Sequence, residues 1–171
     1  MKLTSHKRGS QKVSSASGSA RKIRATQSGK FAVASPPDRV HAFLVSPEQF
    51  ISLVPDLVEH ELIDDGEFRV VWKVGAGMIK ATATINMRLA DSRPREFVSY
   101  TGTGSIKEKL LNLVTAFRLA ECGTGTEISW DGEMEVQGMA PAFKNVLEPI
   151  ALLNIRKLIS RVQSALEADS G

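Results

Sequence analysis

The sequence predicts an α+β domain in which a curved antiparallel β-sheet of six to seven strands wraps around one long C-terminal α-helix. Three observations lead there. Segments between residues 58 and 136 alternate apolar and polar side chains with a period of two. Prolines and capping residues after the first strand mark two short helices. The run from Pro141 to Ala168 is apolar at helical spacing. Strands that follow one another before a single closing helix argue against βαβ units. A sheet bent around one helix tends to leave unfilled space, so a pocket lined with hydrocarbon is expected. With 171 residues and 42% hydrophobic content, the chain suits one domain plus a tail.

The tail comes first in the chain. Residues 1–30 hold eight Lys or Arg and no acid, leaving 14 of the 22 bases against all 19 acids in the rest. The body is therefore mildly acidic, and the high isoelectric point belongs to the tail. Residues 1–28 carry few large apolar side chains and include the low-complexity run SSASGSA, so they are predicted to be disordered. They lack the apolar core of a secretory signal, although their Ser/Arg-rich, acid-free composition overlaps with that of transit peptides. A solvated extension, anionic lipid binding and nucleic-acid binding all remain open readings.

From Gly29 the pattern changes. Lys30–Ala34 reads as a strand, and Ser35-Pro36-Pro37-Asp38 supplies a cap and prolines for a helix carrying Val40, Phe43 and Leu44. Ser46-Pro47-Glu48 starts a second helix that stops near Pro55. Val58–Ile63 and Phe68–Trp72 flank Asp64-Asp65-Gly66 as a hairpin. After Gly75-Ala76-Gly77 a strand places Ile79, Ala81, Ala83, Ile85, Met87 and Leu89 on one face and Lys80, Thr82, Thr84, Asn86 and Arg88 on the other. Further strands are read at Phe97–Thr103, Leu111–Ala120 and Glu127–Val136. In the last of these, odd positions are polar and even ones apolar or glycine, so one face meets water.

Pocket candidates follow from side-chain size. Ala81, Ala83 and Gly132 are small where a filled core would use Leu or Ile. Trp72, Ile85, Phe117, Trp130 and Met134 supply the wall. Small residues also permit close approach of the helix, and that reading stays open. On the last helix Phe143, Leu147, Ile150, Leu158 and Val162 should face the sheet, with Asn154 on the same stripe. A buried Asn needs partners: a sheet carbonyl, a water or the polar end of a ligand. Val146, Leu152, Leu153, Ile155 and Ile159 make this helix more apolar than a surface helix requires, which predicts a second contact. Pro149 should kink the helix or mark a break.

At this point the residues carry a resemblance. Ser46-Pro47-Glu48, Val54-Pro55-Asp56, Val74-Gly75-Ala76-Gly77, Arg93-Pro94, Thr101-Gly102-Thr103-Gly104-Ser105, Gly125-Thr126-Glu127-Ile128 and Val136-Gln137-Gly138-Met139-Ala140 resemble, in their order, the pattern of the carbon monoxide dehydrogenase CoxG family. That family belongs to the START-like (SRPBCC, polyketide cyclase/lipid-transport; also Bet v 1-like) helix-grip superfamily. The resemblance covers roughly residues 29–167. It implies a helix-grip domain at 29–168 behind the 1–28 tail. It also implies a hydrophobic small-molecule ligand, lipid or quinone-like, and association with a molybdenum-containing dehydrogenase and with the membrane or its quinone pool. The start of the last helix departs from the family in carrying Met139-Ala140-Pro141, and Pro149 is an added interruption.

Chemistry is sparse by comparison. No metalloprotease, nucleophile-elbow, P-loop or dinucleotide motif occurs. His6, His41 and His60 are not placed as evident bases, and Asp131, Glu133 and Glu135 lie on the solvent face of their strand. Cys122, the single cysteine, has no disulfide or metal partner in sequence and reads as a small semi-buried hydrophobe. No segment is apolar enough to span a bilayer. The expectation is a carrier or membrane-anchoring accessory rather than an enzyme, with no cofactor and no metal, at the cytoplasmic side and peripheral to the inner face of the membrane. Nucleic acid is not the expected partner, and the C-terminal helix is the candidate surface for an oligomer. Two alternatives stand beside it. One is a cyclase or dehydratase on the same fold, which requires Asn154 to converge with Arg118 or Tyr100 inside the cavity. The other is an interaction module working through the basic tail.

Overall fold

The structure, a computed structural model, describes residues 22–76, 78–138 and 144–170. In chain order the elements are β1 (Lys22–Val33), α1 (Pro37–Leu44), α2 (Pro47–Ile51), β2 (Leu57–Asp64), β3 (Glu67–Ala76), β4 (Ile79–Arg93), β5 (Phe97–Ile106), β6 (Lys109–Cys122), β7 (Gly125–Gln137) and α3 (Lys144–Ser170). The strands form one seven-stranded sheet in the order β1-β7-β6-β5-β4-β3-β2, antiparallel throughout. This is the helix-grip arrangement that the alternating strands and closing helix predict.

The alternation in β4 is realised: Ala83, Ile85 and Met87 are buried, while Lys80, Asn86 and Arg88 are exposed. Bulges between Leu57 and Glu59, Leu62 and Asp64, and Leu89 and Asp91 bend the sheet. Gly104 serves the same bend, because a Cβ there would collide with the Thr84 carbonyl oxygen.

Four sequence expectations change. The first strand begins at Lys22, so residues 22–28, read as tail, are sheet; residues 1–21 lie outside the described residues. The bases that suggested disorder face acids across the strand pair: Lys22 meets Glu135 at 3.8 Å, and Arg24 meets Glu133 and Glu135 at 3.6 and 3.2 Å. Ile23, between them, points inward and is buried. Second, α1 has Pro36 at its N-cap with no side-chain cap. Ser35 instead donates its hydroxyl to the Leu166 carbonyl at 2.9 Å, tying α3 to the strand that precedes α1. Third, Cys122 is exposed, because it ends β6 at the tight turn through Gly123. Fourth, α3 continues through Pro149 without a break. Ser46, in contrast, caps α2 as expected, accepting from the Gln49 amide.

The core divides along α3. Under the helix, Phe50, Phe68, Tyr100 and Phe117 pack with ring centroids 5.3 to 6.5 Å apart, and Phe50, Phe68 and Phe117 also face a cavity there. Tyr100 donates its buried hydroxyl to the Leu44 carbonyl at 2.6 Å. Thr126 donates to the Ser35 carbonyl at 2.7 Å, and both residues are fully buried. Arg161 reaches the carbonyls of Leu53 and Val54, joining α3 to the loop after α2.

Candidate functional site

Toward the start of α3 the space between helix and sheet is not filled. A cavity of about 160 Å³ lies there. Its strand walls come from inward-pointing positions: Phe68, Val70, Trp72 and Val74 of β3, Ala83, Ile85 and Met87 of β4, Ile106 of β5, Leu111, Leu113, Thr115 and Phe117 of β6, and Trp130, Gly132, Met134 and Val136 of β7, with Phe50 of α2 beside them. From α3 come Ile150, Ala151, Asn154, Ile155, Leu158 and Ile159, and the loop after α2 contributes Val54 and Pro55. Two small side chains explain why the wall is set back. Ala83 is fully buried, and a Cβ added at Gly132 would meet nothing closer than 3.8 Å. Gly102 is small for the opposite reason, since a Cβ there would overlap the Met87 sulfur.

Of the sequence candidates, Trp72, Ala83, Ile85, Phe117, Trp130, Gly132, Met134, Ile150 and Asn154 lie on this wall. Ala81 does not. It pairs with Val74, which does line the cavity, in the arm of the β3–β4 hairpin that extends beyond Ile106, the last residue of β5, and it packs against the core without bordering the empty space. Phe143 and the side chain of Leu147 lie outside the described residues. Leu111, Leu113 and Thr115 were missed, although they share the parity of Phe117 along β6. Val54 and Pro55 carry no signal of this kind, because a loop is brought to the wall only by packing. The extra apolar residues of α3 find part of their second contact inside: Ile155 and Ile159 line the cavity, and Leu153 stays exposed.

Polar groups on the wall are few. Asn154 donates from Nδ2 to the Ile150 carbonyl at 2.9 Å, its only hydrogen bond among the described residues. Thr115 donates to the Asp131 carbonyl at 3.2 Å. The Glu133 carboxylate is directed to Arg24. Arg118 pairs with Asp131, and Tyr100 is bonded to Leu44, so neither converges on Asn154. Burial pushes the Tyr100 phenol up to about 12. The hydrogen bond from Arg24 holds the Glu135 carboxyl below its usual range. His41 Nε2 lies 2.8 Å from Ser92 Oγ in a separate open groove, with no carboxylate hydrogen-bonded to that imidazole among the described residues. No cluster of metal-ligating side chains occurs among the described residues, and no helix there is long and apolar enough to cross a membrane.

The family model for the carbon monoxide dehydrogenase protein CoxG matches residues 29–167. Among solved structures, a conserved protein from Geobacillus kaustophilus superposes with a TM-score of 0.71 at 17% identity, covering 82% of this chain and 94% of that one. A START superfamily protein from Mycobacterium smegmatis gives 0.61 at 12% identity, over 84% and 97%. The Zhui aromatase/cyclase from Streptomyces sp. R1128 gives 0.61 at 13%, over 86% and 93%. Likeness at these identities shows the fold. No curated protein matches the sequence.

Proposed function

From its membership of the carbon monoxide dehydrogenase CoxG family, we propose that this chain binds a hydrophobic small molecule, lipid or quinone-like, between its sheet and α3. As the family's name suggests, it would do so as a carrier or membrane-side accessory of a molybdenum-containing dehydrogenase. The observation that carries the reading is the apolar cavity with one carboxamide, Asn154, on its wall. Apolar contact supplies the drive to bind, at roughly 25 cal/mol per Å² before ordering costs. Asn154 keeps one N–H and its carbonyl oxygen available to orient a polar end.

Size narrows the ligand. A cavity of about 160 Å³ suits a single six-membered ring or a short acyl segment. Whole drug-sized ligands usually occupy about 300 Å³ or more. In this reading the ring or chain end sits inside, and the remainder of a longer ligand runs out toward the β3–β4 and β5–β6 turns, where Val74 and Ile106 line the wall. The cyclase-like alternative lacks a supporting pair, since Arg118 and Tyr100 are engaged elsewhere.

Native mass spectrometry of the protein from its own host, followed by extraction and identification of what is released on unfolding, tests the proposal. A stoichiometric quinone or lipid supports it. An apo mass, together with failure to take up added quinones or lipids, overturns it.

A further inference from the structure

The antiparallel order sends the β3–β4 turn, the β5–β6 turn, the end of β7 and the start of β1 to the same end of the sheet. That end has an unusual surface. Met78 stands at the β3–β4 tip, fully exposed, between Lys73 and Lys80 on the two arms. Leu110 is 43% exposed beside Lys107 and Lys109 at the other tip. Lys107 and Glu108 hold left-handed φ values of 49° and 64°, in a turn where Asn-Gly is the comfortable choice.

None of Lys73, Lys80, Lys107 and Lys109 has an ion pair among the described residues. Lys22 and Arg24 at the start of β1 meet Glu135 and Glu133, and away from this end Arg69, Arg88, Arg95 and Arg118 each meet an acid; against the four lysines the two hairpin tips carry one acid, Glu108. β1 starts at this end with Lys22, and the sequence before it, residues 1–21, has five bases and no acid. The cavity wall reaches the same tips through Val74, four residues before Met78, and Ile106, next to Lys107.

We infer that this end is a docking rim for an anionic lipid surface. Met78 and Leu110 enter the acyl boundary while Lys73, Lys80, Lys107 and Lys109 hold the headgroups. Protruding aliphatic side chains interleaved with unpaired lysines suit a bilayer interface. Nucleic-acid surfaces draw instead on arginine and stacking aromatic rings, and neither is found at these tips. The inference deepens the membrane side of the function proposed above and rests on it for the ligand that would cross the rim.

The test is co-sedimentation of the full chain with phosphatidylcholine vesicles, with and without phosphatidylglycerol, while native mass spectrometry follows the bound ligand separately. The wild type is expected to sediment only with the anionic vesicles. Each of Lys80→Gln, Lys107→Gln and Lys109→Gln should weaken partitioning about fivefold, and Met78→Asp about tenfold, with melting temperature and ligand content unchanged. Three outcomes overturn the rim: no sedimentation of the wild type at low salt, variants that partition like the wild type, or tighter binding to duplex DNA that ignores Met78→Asp. A chain with no ligand whose vesicle binding still follows these variants would overturn the carrier reading and leave the rim standing.

Discussion

The two ends of the space under α3 are built differently. Where the helix finishes, Val162 and Leu166 are fully buried, Ser35 holds the Leu166 carbonyl, and Thr126 holds Ser35. Toward its start, the same helix faces a cavity walled by Ala83 and Gly132, and the hairpin tips beyond carry unpaired lysines. The difference teaches that the fold separates its tasks. Side-chain packing and buried hydrogen bonds at one end hold the helix in place, which leaves the other end free to stay hollow. An amphipathic helix packed evenly along its length would have no room for a ligand.

The sharpest way to break this comparison is a matched pair of truncations on α3. Leu166→Ala should cost about 3 kcal/mol, because a fully buried leucine leaves a void that its neighbours cannot close. Leu158→Ala, on a wall that already borders empty space, should cost under about 2 kcal/mol. Equal losses in chemical denaturation would erase the distinction between the ends.

Tyr100 gives the next largest effect. Tyr100→Phe strands the buried Leu44 carbonyl and should lower stability by about 1–2 kcal/mol. The wild type also carries a pH signature. Burial raises the folded phenol to about 12, above an unfolded value of about 10. The stabilisation is therefore fully present below the unfolded value and is lost as pH rises through the folded one. Tyr100 is the single tyrosine of the chain, so tyrosinate absorbance reports this titration alone; ionisation near the ordinary value would contradict the burial of its ring.

Filling the hollow end should separate binding from stability. Gly132→Val has open space for its side chain and should change stability by no more than about 1 kcal/mol. Uptake of a ring-bearing quinone should fall at least about tenfold as its space is taken. Retained uptake would mean that ligand does not reach Gly132. Asn154→Leu should have the smallest effect, leaving melting unchanged and weakening binding about fivefold through one lost hydrogen bond. Calorimetric titration with the ligand identified from the host measures both.

Much of this was legible in the residues, for reasons that differ by element. β4 and β7 follow strict alternation, so their inward faces could be read off directly, and Ala83, Ile85, Trp130, Gly132 and Met134 were placed by parity. β6 alternates less cleanly: Leu110, Leu111 and Leu113 include both inward and outward side chains, which hid Leu111, Leu113 and Thr115. The start of β1 was hidden by its own charge. Lys22 and Arg24 look like tail until Glu133 and Glu135 lie across from them.

By itself the sequence determined the class of fold, the order of its elements, and the smallness of Ala83 and Gly132, because period, capping and side-chain volume are local properties. Only the tertiary structure decided that Ala81 falls outside the cavity wall, that Val54 and Pro55 join it, and that four lysines gather at one end. Those facts depend on where neighbouring strands stop and how the sheet bends, which no single segment encodes.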